Sequence, residues 1–224
     1  MTKKEILHFL QDLSDNNSKE WMDAHRSRYQ AARDSWLALV QEVLDRLKAH
    51  NPDFGLVRPK DTVSRINNNR RFHKDKPLYK DFFSCEPSGK GTANSLFYFA
   101  MGLSWSFVGG GMYHPPKEKL SAFRSAIDYN GEEFRELVQA ERAQAFYGGL
   151  SQYADTLKTA PAGYPKDHPH VEFLRLKSIT LTRDLTTEDF IGDGFLDLIE
   201  EAYLAFRPVE EYILEALEFA PAEV

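Results

Sequence analysis

The chain is short of cysteine, of long apolar runs and of the common catalytic signatures, and each shortage removes a class of protein. A single cysteine, Cys85, permits no internal disulfide and fits a reducing cytoplasm. No run of 18 apolar residues occurs, so no membrane span is expected. The first residues, MTKKEILHFLQDLSDNN, read as an amphipathic helix rather than a signal peptide. No G-x-G-x-x-G, G-x-S-x-G or H-E-x-x-H pattern is present. Gly89-Lys90-Gly91-Thr92 resembles a P-loop fragment, but Ser84 stands where the upstream glycine belongs and Gly91 where a hydroxyl is needed. It reads as a loop tip. Basic residues are not in excess: 28 Lys and Arg face 34 Asp and Glu, for a net charge of −6. That balance argues against a general nucleic-acid coating protein.

What is present is an ordinary globular composition, 42% hydrophobic and 28% charged over 224 residues. Such a chain buries a core without staples. No linker, repeat or low-complexity segment divides it, and one domain over residues 1–224 is expected.

Charge is distributed unevenly. Residues 58–80 hold eight basic and two acidic residues, a local net of +6, while 185–224 holds eleven acids and one base. Two accounts fit: the segments neutralise each other, or the basic one forms a concave anion site.

Thr2 with Glu5 forms a capping box for a helix whose Ile6, Phe9, Leu10 and Leu13 step by three and four. Asn17 or Ser18 caps the next helical stretch, from Trp21 through Tyr29 and Trp36 to about residue 49, as one helix or two in line. Asp61–Asn67 reads as a strand, ended by Asn67-Asn68-Asn69. Ser95–Gly102 and Ser104–Val108 are the strongest strand signals, apolar on both faces and joined as a hairpin, with Gly109-Gly110-Gly111 as the stop. Pro115-Pro116 opens a helix that Asn130-Gly131 divides from another. After a short helix near 168–175 comes a strand over Lys177–Arg183, with Ile179 and Leu181 inward. The last helical region starts at Thr187 with Asp189 and is interrupted by Pro208. Strands are few and do not alternate with helices. The class is α+β, with a central antiparallel or mixed sheet flanked by N- and C-terminal helices.

The segment Arg70-Arg71-Phe72-His73-Lys74-Asp75-Lys76-Pro77-Leu78-Tyr79-Lys80 carries the chemistry. Guanidinium forks suit phosphate or carboxylate, lysines supply point charge, and Asp75 is a candidate orienter or base. His114 follows the glycine triplet and Tyr113, where backbone N–H groups would form an anion nest. Asp167-His168-Pro169-His170 has His-x-His spacing, but Pro169 and the lack of cysteine or carboxylate partners speak against a metal, and Asp167 reads as a helix cap. Nothing in the sequence names a cofactor or an oligomeric state.

Several spaced groups together resemble a large uncharacterised family of bacterial and fungal proteins, a conserved hypothetical family with a domain of unknown function. They are Asn16-Asn17…Glu20-Trp21, Arg65-Ile66…Arg71-Phe72…Lys74-Asp75-Lys76…Tyr79-Lys80, Gly109-Gly110-Gly111…Tyr113…Pro115, Arg124, Leu157-Lys158…Pro161…Gly163-Tyr164…Asp167-His168-Pro169 and Leu174-Arg175-Leu176-Lys177. Nearly the whole chain is covered, in order. It departs from the family at Met22, where a second aromatic is usual, at Arg70, where an aspartate is usual, and at Pro77-Leu78, where Ser-Pro or Thr-Pro is usual. The resemblance implies one domain and no assigned reaction. The matching positions are rich in anion binders: Arg65, Arg71, Lys76, Lys80, Arg124, Lys158, Arg175 and Lys177, with Tyr79 and Tyr113 as further donors. The expectation is a basic pocket for a small ligand bearing phosphate or carboxylate, with Asp75 or His114 as candidate catalytic groups. A short phosphate track of nucleic acid and an acidic protein partner are the alternatives.

Overall fold

The computed structural model describes residues 1–71, 73–88, 94–151 and 155–218. The loop tip expected at 89–92 and Phe72 lie outside them. Helices and a four-stranded antiparallel sheet make up the chain, so the α+β class holds. Among the described residues the strands are β1 (Phe82–Cys85), β2 (Phe97–Gly102), β3 (Phe107–Met112) and β4 (Ile179–Asp184), in the order β1-β2-β3-β4. Among the described residues no helix is long and apolar enough to cross a membrane. The chain forms two compact units, the first of Met1–Asn94, Tyr98–Val108 and Asp184–Glu200, the second of Ser95–Phe97, Gly109–Arg183 and Glu201–Val224.

In the first unit α1 (Lys3–Asp15) starts with the Thr2–Glu5 capping box and buries Ile6, Phe9, Leu10 and Leu13. Ser18 caps α2 (Lys19–Ala24), and His25, with non-helical φ/ψ, separates it from α3 (Arg26–Leu47). Trp36 of α3 is fully buried against the rings of Phe83, Phe99 and Phe190, with centroids 5.7–6.2 Å apart. β1 and β2 therefore turn Phe83, Cys85, Phe99 and Met101 toward this core. The alternation of strand side chains leaves Phe82, Ser84, Glu86 and Tyr98 on the opposite face.

One expectation needs correction in this unit. Asp61–Asn67 is not a strand. Pro59 fixes φ for a single helical turn, α4 (Pro59–Thr62), closed by Thr62 Oγ1 donating to the Pro59 carbonyl at 2.9 Å. Beyond it the chain pairs with two different partners, Val63 with Cys85 and Asn67 with Tyr79, so only isolated bridges form. The C-terminal helical region starts at Thr187, as expected, and Thr186 caps it in a capping box with Asp189 at the head of α8 (Thr187–Ile191).

In the second unit β3 does not stop at the glycines but runs through them. A Cβ at Gly109 or Gly111 would collide with the backbone of Leu181–Thr182 or Ile179–Thr180, so the missing side chains are what lets β3 lie against β4. Helix α5 (Lys117–Gln139) bends at Asn130, as expected, and leads into α6 (Glu141–Tyr147). The short α7 (Val171–Leu174) has His170 at its N-cap with no side-chain bond, so Asp167 does not cap it. Helix α9 (Phe195–Glu218) continues through Pro208, which is exposed, so the missing N–H costs one bond on the solvent side and does not end the helix. Phe134 sits against Phe123, Phe173 and Tyr212 at 5.0–5.2 Å, and Phe97 against Tyr203.

Glu210 of α9 is buried within this unit, its carboxylate accepting from Ser95 Oγ at 2.7 Å and from the Leu96 N–H at 2.6 Å. Burial holds its proton on above the ordinary value of 4.5, although Ser95 and the Leu96 and Phe97 amides oppose that shift. A folded pKa above the unfolded one gives stability that is full below 4.5 and falls as pH rises through the raised folded value. Denaturant melts between about pH 4 and about pH 8 should show the native chain losing stability relative to Glu210→Gln as pH rises. Parallel curves would contradict this.

Candidate functional site

The site lies in the first unit, on the face of β1 and β2 turned away from the aromatic core. Its geometry starts at Asn17, between α1 and α2. The Asn17 amide accepts from the Tyr79 N–H at 2.9 Å and donates to the Tyr79 carbonyl at 3.0 Å, as a neighbouring strand would. Residues 66–68 then pair with 78–80 in hairpin fashion: Lys80 N–H donates to the Ile66 carbonyl at 2.8 Å, and Asn68 N–H to Leu78 at 3.0 Å. Asn68 Nδ2 closes the loop by donating to Pro77 at 3.0 Å. The basic residues are carried toward the tip of this hairpin.

Below it opens a cleft of about 800 Å³. Lys76, Tyr79 and Lys80 line it, together with Ser64, Ser84, Tyr98 and Trp105. Lys80 Nζ donates to Ser64 Oγ at 2.9 Å and lies 5.6 Å from the centre of the Phe82 ring. Ser64 Oγ is 3.0 Å from Ser84 Oγ, and the Tyr98 hydroxyl is hydrogen-bonded to Ser84 in turn. Burial pushes the Tyr98 phenol up to about 12, and burial, then the charge of Lys76, lowers the Lys80 ammonium below its ordinary value. The aromatic wall is continuous: Trp105 meets Phe82 at 4.9 Å, Phe107 at 4.8 Å and Tyr98 at 5.7 Å. Trp105 nonetheless stays 43% exposed.

The cleft is mixed in charge, not uniformly basic. Asp61, Asp81 and Glu86 line it as well. Arg58 neutralises Asp61 at 2.6 Å, and Ser104 Oγ donates to Asp81 at 2.6 Å. Cys85, on the other face of β1, is fully buried with its thiol pushed up to about 12, which makes it inert as a nucleophile.

Of the residues singled out from sequence, Lys76, Tyr79 and Lys80 are brought together here. Arg65, Arg71 and Asp75 are exposed and do not line the cleft. In the second unit Arg124 Nε donates to the Leu174 carbonyl at 2.8 Å and Nη2 to Leu176 at 3.2 Å, while Arg175 Nε donates to Leu157. Lys177 pairs with Asp155 at 3.5 Å. Arg175 and Lys177 thus brace the pairing of residues 155–157 with 175–177, and Arg124 ties α5 to residues 174–176. Lys158, Tyr113 and His114 are exposed, and the amides near the glycine triplet are occupied: Gly111 N–H donates to Leu96, His114 N–H to Ser178 Oγ. His168 bonds Asp128, and among the described residues no three His, Cys, Asp or Glu side chains gather as metal ligands. Asp197, Glu200, Glu201 and Glu211 of α9 pair with Arg46, His50, Arg142 and Arg207 respectively.

Ser64, Ser84, Tyr98 and Trp105 escaped the sequence reading. The alternation Phe82-Ser84-Glu86 against Phe83-Cys85 was a usable signal for Ser84; for Ser64 there was none, because its neighbours are set by the two isolated bridges.

Fold and site together define an α+β protein with an aromatic-walled polar cleft on one sheet face. Residues 5–212 match the conserved hypothetical protein family DUF2461, and the chain belongs to that family. No curated protein and no solved structure matches it.

Asn17→Ala removes both bonds to Tyr79 and leaves its backbone groups half-buried without partners. The expected loss is about 1–3 kcal/mol of stability by denaturant melt. An unchanged midpoint would show that the amide does not hold the hairpin.

Proposed function

We propose that the cleft of the first unit binds a small ligand bearing phosphate or carboxylate, in the reducing cytoplasm that a single buried cysteine suits. The observation that carries this is the joint presence of Lys76 and Lys80 on one cleft wall beside an exposed aromatic ring. Lys76 is exposed at the mouth, and Lys80 is half-buried behind it. With Asp61 already neutralised by Arg58, two lysines face two carboxylates, Asp81 and Glu86. This balance favours a ligand with an anionic group at one end and hydroxyl or amine donors at the other, over a polyanion. A planar ring in such a ligand would stack on Trp105.

The exposed Trp105 also supports a second reading, a short single-stranded nucleic acid whose base stacks there while its phosphate meets the lysines. Salt separates the two. A ligand with one anionic group gives a log Kd against log salt slope of about 1 or less, whereas several phosphate contacts give a multiple of it.

Calorimetric titration with a panel of phosphate- and carboxylate-bearing metabolites should find a ligand. Lys76→Ala and Lys80→Met should each weaken it about tenfold, equivalent to about 1.4 kcal/mol. Full affinity in the double variant would overturn the reading.

A further inference from the structure

Lys80 does something unusual for a lysine beside carboxylates. Asp81 and Glu86 line the same cleft, yet the amine is directed at the hydroxyl of Ser64. The two residues are held there from both sides. Val63 is bridged to Cys85 and Asn67 to Tyr79, so Ser64 lies in a short stretch pinned at each end. The Lys80 N–H bond to Ile66 fixes the lysine opposite it. Ser64 is exposed to the cleft, whereas Ser84, its neighbour at 3.0 Å, is only 3% exposed. The result is a row of four groups, from Tyr98 through Ser84 and Ser64 to Lys80, in which Ser64 is the accessible hydroxyl.

We propose that Ser64 is a nucleophile and Lys80 its general base, in an acyl-transfer site for esters or amides of small acyl groups that carry an anion. The inference rests on the reading of the cleft as an anion site: Lys76 at the mouth would hold the anionic end while the carbonyl reaches Ser64.

With Lys80 neutral, the polarity of the 2.9 Å bond reverses and the Ser64 O–H donates to Nζ. The Ser64 oxygen bonds to the carbonyl carbon, and its proton passes to Lys80. The carbon–oxygen or carbon–nitrogen bond of the leaving group then breaks, and the leaving alcohol or amine takes that proton from Lys80. Water, losing a proton to Lys80, attacks the Ser64 ester. The acid is released and Ser64 regains its hydrogen, so the sum is ester or amide plus water giving acid plus alcohol or amine. Tyr98 acts through Ser84 as a positioning residue: with its phenol near 12, it stays a protonated partner throughout the working range.

The ionisable groups sharing the cleft with Lys80 are Lys76, Asp61, Tyr79, Asp81, Glu86 and Tyr98. Burial and Lys76 lower the Lys80 value, and both favour the neutral amine below 10.5.

The experiment is labelling of the full chain with a fluorophosphonate, in which the Ser64 oxygen displaces fluoride from phosphorus. Intact mass spectrometry should show one adduct, mapped to Ser64 by peptide analysis and absent in Ser64→Ala. The labelling rate should rise with pH to a midpoint below 10.5. Lys80→Met should slow it by about 100-fold or more, and Lys80→Arg should not restore it, because a guanidinium does not deprotonate. An adduct on another residue, or none at about pH 9 while the calorimetric ligand still binds, would overturn the nucleophile and leave the anion site standing. Loss of both adduct and ligand binding in the folded native chain would overturn the two together.

Discussion

Two hydrogen bonds between one side-chain amide and one backbone residue hold the site in place. Asn17 sits where α1 ends and α2 has not begun, and its amide satisfies both polar groups of Tyr79. Without it, the 78–80 edge of the hairpin would present an unpaired N–H and C=O where the chain is half-buried. With it, the following residue, Lys80, is set at the wall of the cleft and its amine at Ser64. The identity of the residue follows from this geometry. An aspartate of the same length offers no donor for the carbonyl, and a serine cannot span both groups.

This explains why two distant groups of family-like residues occur in one chain. Asn16-Asn17 and Tyr79-Lys80 are far apart in sequence and meet through that amide. Another part of the basic character has a structural explanation. Arg124 and Arg175 direct guanidinium N–H groups at carbonyls of the 155–157 and 174–176 segments, which satisfies helix-end and loop carbonyls. Cations that look alike in sequence therefore divide into braces, cleft groups and exposed side chains outside the cleft, and spacing alone does not separate them.

The helices were legible because their signals are local: the Thr2–Glu5 capping box, the apolar stripe through Trp36, the break at Asn130. The strands at 97–102 and 179–184 were legible for the same reason. Elements whose form depends on a partner were not. Residues 61–67 have the β-branched content of a strand, but one end pairs with β1 and the other with Tyr79. The glycine triplet reads as a stop, whereas β3 needs it to approach β4. Of the cleft, the lysines were legible from charge; the serines and Trp105 were not, because their roles arise from which face of the sheet they occupy.

The central claim is that the cleft on the outer face of β1 and β2, not the exposed hairpin tip, is where an anion binds. Backbone amide NMR during titration with inorganic phosphate tests it directly. The account predicts saturable shifts, fitted by one Kd, clustered at Ser64, Lys76–Ser84, Tyr98 and Trp105. Shifts confined to Arg70–Asp75, or to Arg124, Lys158 and Arg175 of the second unit, would contradict it.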